Sequence, residues 1–169
     1  MSELMTVQRR TPVPPAPEKA RQYLAFVLGQ ETFAMEIRSI KEVIQYGDLT
    51  QVPMMPDFVR GVINLRGSVV PVLDLAVRFG RAPSPVARRT CVVVLEVEHL
   101  GEALVLGIIV DQVRAVLDIG AADIEPPPAF GSSLRTDFLA GIGKVEGEFV
   151  IILDVDNVLS LEELAAISG

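Results

Sequence analysis

The sequence predicts a mainly β protein built from two related units, and three observations carry that expectation. Apolar residues fall in many short runs enriched in Val, Ile, Leu and Phe, each bounded by Gly, Pro, Asp or charge. A stretch near residue 60 recurs, in order and without a gap, near residue 140. Half of the 169 residues are hydrophobic, which is incompatible with a disordered chain and enough for one ordinary domain or two small ones sharing a core.

The runs are YLAFVL (23–28), TFAMEI (32–37), IKEVIQY (40–46), GVINL (61–65), VVPVL (69–73), CVVVLEV (91–97), ALVLGIIV (103–110), VRAVLDI (113–119), GIGKV (141–145) and FVIIL (149–153). Runs this short, rich in β-branched residues, favour strands over helices. Pro71 cannot donate to a ladder, which predicts an edge strand or a bulge for VVPVL. Helical candidates are a turn around Pro56–Val59, short segments after Asp74 and Asp154, and the C-terminal SLEELAAIS. There Ser160 can cap the first turn and Glu162 and Glu163 complement the helix dipole. Residues 1–20, polar and punctuated by Pro12, Pro14, Pro15 and Pro17, read as a flexible Pro-rich tail, with order beginning near Tyr23.

The repeat is specific. DFVRGVINLRGSVVPVLDL (57–75) lies over DFLAGIGKVEGEFVIILDV (137–155) at a constant offset of 80. Asp57/Asp137, Phe58/Phe138, Gly61/Gly141, Gly67/Gly147, Val70/Val150, Leu73/Leu153 and Asp74/Asp154 are identical. A weaker echo, at an offset of 73, sets FAMEIRSIKEVI (33–44) over LGIIVDQVRAVL (106–117). Each unit would then hold a strand pair, a connection and a hairpin. A β unit of about 60 residues is marginal alone, so two should pack together. Gly67 and Gly147 sit where strands must reverse, and supply positive φ there. Arg66 and Glu146 should stand exposed at the two hairpin tips.

Composition excludes several functions. A net charge of −7 repels phosphate backbones, so nucleic acid is not an expected partner. Each apolar run is cut within about ten residues, too short for a helix that spans a membrane. The N-terminus lacks an apolar signal core, which predicts a cytoplasmic protein. The lone Cys91 forms no internal disulfide and reads as a buried small hydrophobe; His99 reads as a surface turn residue. One Cys and one His make no closed zinc site, and no metal or cofactor is expected. The duplicated Asp74 and Asp154 raise the possibility of a hydrolase with two carboxylates sharing a proton. Neither is followed by the Ser/Thr-Gly turn that such a site needs, and helix N-caps explain both. GIGK (141–144) lacks the glycine spacing of a phosphate loop, and DVDN (154–157) the Gly and Glu of a calcium loop. No catalytic set emerges, and the protein is not expected to be an enzyme.

Charges set among apolar residues remain. By strand alternation Ile40, Glu42 and Ile44 share one face, and Lys41 and Val43 the other. Glu42 is then either a solvated gap or part of a recognition surface. Arg66 is either ordinary turn polarity or an anchor for a partner's carboxylate, which a planar guanidinium binds bidentately.

Taken in order, YLAFVLGQETFAMEIRSIKEVI (23–44), GVINLRGSVVPVLDL (61–75), GIIVDQVRAVL (107–117), the loop IEPPPAF (124–130) and FLAGIGKVEGEFVIILDVDNVL (138–159) resemble the CheW family of chemotaxis coupling proteins. The most specific stretch is the Asn-Leu-Arg-Gly hairpin followed by an apolar-Pro-apolar strand ending in Asp. The resemblance runs from 21 to 166 and implies two packed SH3-like five-stranded β-barrel subdomains with short peripheral helices. It implies an adaptor that joins the regulatory domain of the CheA histidine kinase to the cytoplasmic tips of chemoreceptors, recruited to their arrays without inserting into the membrane. The same fold forms the kinase's own regulatory domain; no kinase or phosphotransfer region accompanies it in these residues, so the free adaptor is expected. By motif position, the resemblance assigns Ile40, Glu42, Gly61 and Arg66 to partner binding, with Asn64 and Gly67 shaping the same hairpin. It does not separate flagellar chemotaxis from another chemosensory pathway.

Overall fold

The computed structural model describes residues 21–99, 101–126 and 139–157. The Pro-rich segment 1–20, most of the loop IEPPPAF, Asp137 and Phe138 of the repeat, and the expected helix after Ser160 lie outside the described residues. Within them the chain forms β1 (Arg21–Leu28), β2 (Glu31–Glu36), β3 (Ile40–Gln45), β4 (Val59–Leu65), β5 (Ser68–Asp74), α1 (Leu75–Arg78), β6 (Cys91–His99), β7 (Glu102–Val110), β8 (Gln112–Ile119), β9 (Ile124–Glu125), β10 (Leu139–Val145) and β11 (Glu148–Leu153). Every apolar run of the sequence is a strand. Two-residue β9 has no such run to announce it, nor have the single 3-10 turns Ile37–Ser39 and Ala121–Asp123. The turn around Pro56–Val59 is not helical; β4 starts there.

The strands form two sheets, ordered β9-β10-β11-β2-β1-β8 and β3-β6-β7-β5-β4. The two orders are the same motif: a hairpin, then a strand pair, then a single strand. The first sheet takes hairpin β10–β11 and strand β8 from the second copy of the repeat, but its strand pair β1–β2 from the first. The second sheet takes β3, β4 and β5 from the first copy and the pair β6–β7 from the second. The copies in sequence are therefore not the subdomains in space; each subdomain is completed by strands from the other copy.

The register obeys the repeat. Val72 pairs in parallel with Gly107, and Ile152 with Ala34, a match that combines the offsets of 80 and 73. The bulges recur too. The ladder skips Arg60 between β4 and β5, and its equivalent Ala140 between β10 and β11. It skips Lys41 between β3 and β6, and its equivalent Arg114 between β8 and β1. Bulges add local twist, which a small sheet needs to curl on itself.

Each sheet closes into a five-stranded barrel through the segment that follows its single strand. After β8 the Ala121–Asp123 turn carries the chain to β9, which pairs with β10 at the opposite end of the order. After β3 the chain reaches Thr50, whose N–H donates to the Val62 carbonyl at 3.0 Å and whose carbonyl accepts from Val62 N–H at 2.9 Å. Gly61 makes that approach possible: a Cβ there would sit 2.7 Å from the Thr50 oxygen, and one on Gly141 would sit 2.7 Å from the Glu125 oxygen.

Alternation sorts the side chains into three cores. Tyr23, Ala34, Ile119, Val150 and Ile152 fill the first barrel; Val72, Val92, Val94 and Ile109 fill the second. Their chain neighbours, among them Leu24, Phe33, Met35, Leu73, Val93, Leu95, Ile108 and Leu153, meet between the barrels in the largest cluster. Burial on both faces explains why the runs in β5 and β7 are apolar throughout, whereas β3 and β8, with one face exposed, carry charges. Cys91 is only half-buried, and packs against the edge of the shared core.

Pro71 is a correction. Strand β5 lies between β4 and β7, not at an edge. Val62, opposite Pro71, spends both backbone groups on Thr50, so no bond is asked of the proline on that side. On the other side the β7 ladder begins only at Val72. At the equivalent position in the other barrel, Ile151 has its N–H and pairs with Phe33.

Candidate partner-binding surface

The β4–β5 hairpin ends in a two-residue turn. Arg66 has φ 52° and Gly67 φ 89°, as a type I′ turn requires. The Asn64 side-chain oxygen accepts from Gly67 N–H at 3.0 Å, which braces the turn. The equivalent Glu146 and Gly147 have φ 51° and 83°, but Lys144 in place of Asn64 offers no acceptor. A side chain in the left-handed region carries a steric penalty, so both tips hold a charged residue where glycine is easier.

Barrel closure decides what Arg66 meets. Strands β3 and β4 end the sheet order, and closure through Thr50 makes them neighbours. The guanidinium pairs with both carboxylate oxygens of Glu42: Nη2 with Oε2, and Nη1 with Oε1 at 3.5 Å. The Arg66 side chain is 71% exposed and that of Glu42 26%. The hydrogen bond that Arg66 donates to Glu42, then the charge of that carboxylate, raises the Arg66 pKa above its ordinary value, and the group stays cationic. Glu42 is thus neither a solvated gap nor a free anion: it orients the arginine. On the same strand Ile40 and Ile44 are half-buried like Glu42, and Lys41, Val43 and Gln45 are exposed, as alternation predicts. Ile40 packs against the shared core and Ile44 against the core of the second barrel.

The structure therefore gathers Glu42, Asn64, Arg66 and Gly67 at one place. Ile40 is two residues away, turned toward the shared core. Gly61 lies toward the opposite end of β4, buried under Thr50, with a structural reason of its own. Sequence reasoning missed the apolar component. Val43 is 40% exposed and Val69, the cross-strand partner of Asn64, 68%. Their equivalents in the first barrel, Val116 and Phe149, are also exposed, and Lys144 Nζ lies 6.0 Å from the Phe149 ring centroid. The offsets were legible; the exposure was not, because strand periodicity gives the face but not what covers it.

The duplicated aspartates are structural and unequal. Asp74 is buried, with four hydrogen bonds from protein donors: Arg60 Nη2 at 2.9 Å, Ser84 N–H at 2.9 Å, Ser84 O–H at 3.0 Å and Ala76 N–H at 3.0 Å. The last caps α1. Asp154 accepts from Asp156 N–H at 3.2 Å and Asn157 Nδ2 at 2.8 Å. Among the described residues no cluster of His, Cys, Asp or Glu is arranged to hold a metal ion, and no helix is long and apolar enough to cross a membrane.

The architecture is thus a pair of packed SH3-like barrels, one of which carries an exposed charged hairpin. The model of the CheW-like domain matches residues 22–163. A chemotaxis protein CheW from Klebsiella aerogenes is 37% identical over 149 residues, 88% of this chain and 87% of its own length. One from Rhizobium meliloti is 32% identical over 146 residues, 86% of this chain and 92% of its own. The crystal structure of the scaffolding protein TtCheW from Thermoanaerobacter tengcongensis superposes with a TM-score of 0.76 at 29% identity, covering 90% of this chain and 96% of that one. The chain belongs to the CheW family of chemotaxis scaffolding proteins.

Proposed function

We propose that this chain is a non-enzymatic adaptor that couples chemoreceptors to the CheA histidine kinase, acting in the cytoplasm at receptor arrays. The observation that carries the reading is the Arg66–Glu42 pair: a guanidinium held bidentately on a braced, largely exposed hairpin tip, with exposed Val43 next to Glu42 along β3 and exposed Val69 paired with Asn64 on β5. A desolvating partner that brings a carboxylate to this guanidinium would gain a directional contact, and the valines would supply apolar area around it. Glu42, Asn64, Arg66 and Gly67 form the contact; Ile40 and Gly61 hold its strands in place. Family membership supports the assignment, since relatives carry the name chemotaxis protein CheW and the structural neighbour is titled a scaffolding protein. Coupling requires only that the adaptor bind kinase-on and kinase-off assemblies with affinities differing by about 1–3 kcal/mol.

The test is reconstitution with receptor-containing membranes and CheA, read as the rate of kinase phosphorylation. Adding the protein is expected to raise that rate. Arg66→Glu should abolish the increase while the chain stays folded; setting a carboxylate against Glu42 lowers the unfolding midpoint only slightly, since Arg66 itself is exposed. Full activation by the folded variant would remove Arg66 from the contact; no activation by the unaltered protein, with neither partner bound at micromolar concentration, would end the adaptor reading.

A further inference from the structure

The segment that carries the chain from Thr50 to β4 is fixed at both ends. Thr50 exchanges two backbone hydrogen bonds with Val62, and Val59 N–H donates to the Pro56 carbonyl at 3.0 Å. Between these anchors the chain turns at Pro53 and Met54. Proline presets φ at the first position of such a turn. Met54, with φ 68°, takes the left-handed position that glycine or asparagine fills more easily. The result is a large apolar side chain projected into solvent from a pinned loop.

Met54 is 99% exposed, more than any other large hydrophobic among the described residues, so no neighbour covers its thioether. The others so exposed are valines and Phe149, which have no sulfur. The remaining methionines of the described residues are shielded. Met55 is half-buried, and Met35 is 1% exposed inside the shared core. Thioether oxidation needs two things: a path for the oxidant to the sulfur, and water or a hydrogen-bond donor for the polar sulfoxide that forms. Both are present at Met54. Both are missing at Met35, which packs among Leu24, Phe26 and Phe33.

We propose that Met54 is a site of reversible oxidation by hydrogen peroxide. The sulfur lone pair takes one peroxide oxygen: the O–O bond breaks, an S–O bond forms, the sulfur gives up two electrons and the rest of the peroxide leaves as water. A thiol-dependent sulfoxide reductase reverses the step, releasing the oxygen as water while two thiols become a disulfide. The most exposed apolar side chain thereby becomes a polar one. Nothing in either barrel has to move, because no packed group rests on it. Oxidation marks the surface and leaves the fold alone. The inference goes beyond the adaptor reading and does not depend on it.

The full chain is exposed to hydrogen peroxide and digested with trypsin, and oxygen uptake is followed by mass spectrometry with fragmentation that separates Met54 from Met55. Met54 is expected to oxidise within about twofold of the rate of free methionine, and Met35 at least about tenfold more slowly. Chain oxidised at Met54 should unfold at the same midpoint as untreated chain, and methionine sulfoxide reductase with a dithiol should return Met54 to the thioether. Met54→Leu, close in volume, should leave the peptide 42–60 to gain oxygen only at the slower rate of Met55. In urea all three methionines should react alike, which ties the difference to the fold. Oxidation of Met35 or Met55 as fast as Met54 in the folded chain would overturn the proposal. So would a lowered midpoint on oxidation of Met54, or a sulfoxide that the reductase cannot reach.

Discussion

Asp74 is 1% exposed, and each of its oxygens is hydrogen-bonded. Its repeat partner Asp154 bonds only to its own turn. The same residue in the same motif therefore carries different energies. Asp74→Asn turns an amide toward Arg60 or Ser84 and leaves a donor facing a donor; breaking a buried pair in this way costs about 3–5 kcal/mol. Asp154→Asn should cost under about 1 kcal/mol, since its partners stay close to water. Urea unfolding of the two variants checks this, and equal losses would mean that burial is not the deciding difference. Tyr23 offers a pH-dependent counterpart. It is 5% exposed, and burial, then the charge of Glu36, raises its pKa above the usual 10.0. The folded state then holds the phenolic proton more tightly than the unfolded one. That stabilisation is complete below pH 10 and is lost as pH rises through the folded value. Tyr23→Phe should flatten the alkaline limb of stability measured against pH; an unchanged slope would assign the limb to other groups.

At the scale of elements, hairpin and strap are built from glycines with different duties. Gly61 is needed for space under Thr50, whereas Gly67 has nothing within 4 Å and is needed only for its φ of 89°. Gly61→Ala must push the Thr50 strap away and endanger two backbone hydrogen bonds, a loss of about 2–3 kcal/mol. Gly67→Ala meets only the left-handed penalty of about 1–2 kcal/mol. Thermal unfolding should rank them in that order, with amide exchange at Val62 accelerated only in Gly61→Ala. The reverse order would mean that the strap is slack. The elements themselves were the most legible level of the fold. Short β-branched runs bounded by turn residues gave strands whose ends differ by a residue or two from the observed ones. β9 escaped because two residues carry no period. Pro71 misled because a missing donor predicts an edge or a bulge in its own strand, whereas β5 is internal, the bulge falls on β4 at Arg60, and the donor is missing where the β7 ladder had not yet begun.

The whole molecule has no separable half. Each barrel draws strands from both copies of the repeat, and Leu73 and Leu153 lie with Phe33 and Val93 in the core between the barrels. Unfolding one barrel removes ladder partners from the other, so a single cooperative transition is expected. Leu73→Ala, which empties space in the shared core, should cost about 2–5 kcal/mol. It should lower protection from amide exchange equally at Ile119 in one barrel and Ile109 in the other. Loss confined to Ile109 would make the barrels independent. The candidate contact, by contrast, needs no exchanged strand: Glu42 on β3 and Arg66 at the β4–β5 tip both come from the first copy, and closure through Thr50 brings them together.

The amino-acid sequence by itself determined the strands, the two hairpin tips with their positive-φ glycines, and the existence of a duplicated unit. Each follows from local chemistry: side-chain branching, glycine's lack of a Cβ, and the offset between similar residues. Only the tertiary structure decided that the copies exchange strands, that Arg66 meets Glu42 across the closed barrel, and which aspartate of the pair is buried. These depend on which strand lies beside which. A repeat leaves that choice open, because equivalent strands present equivalent edges, and the choice is settled by the shared apolar core that the exchanged arrangement fills.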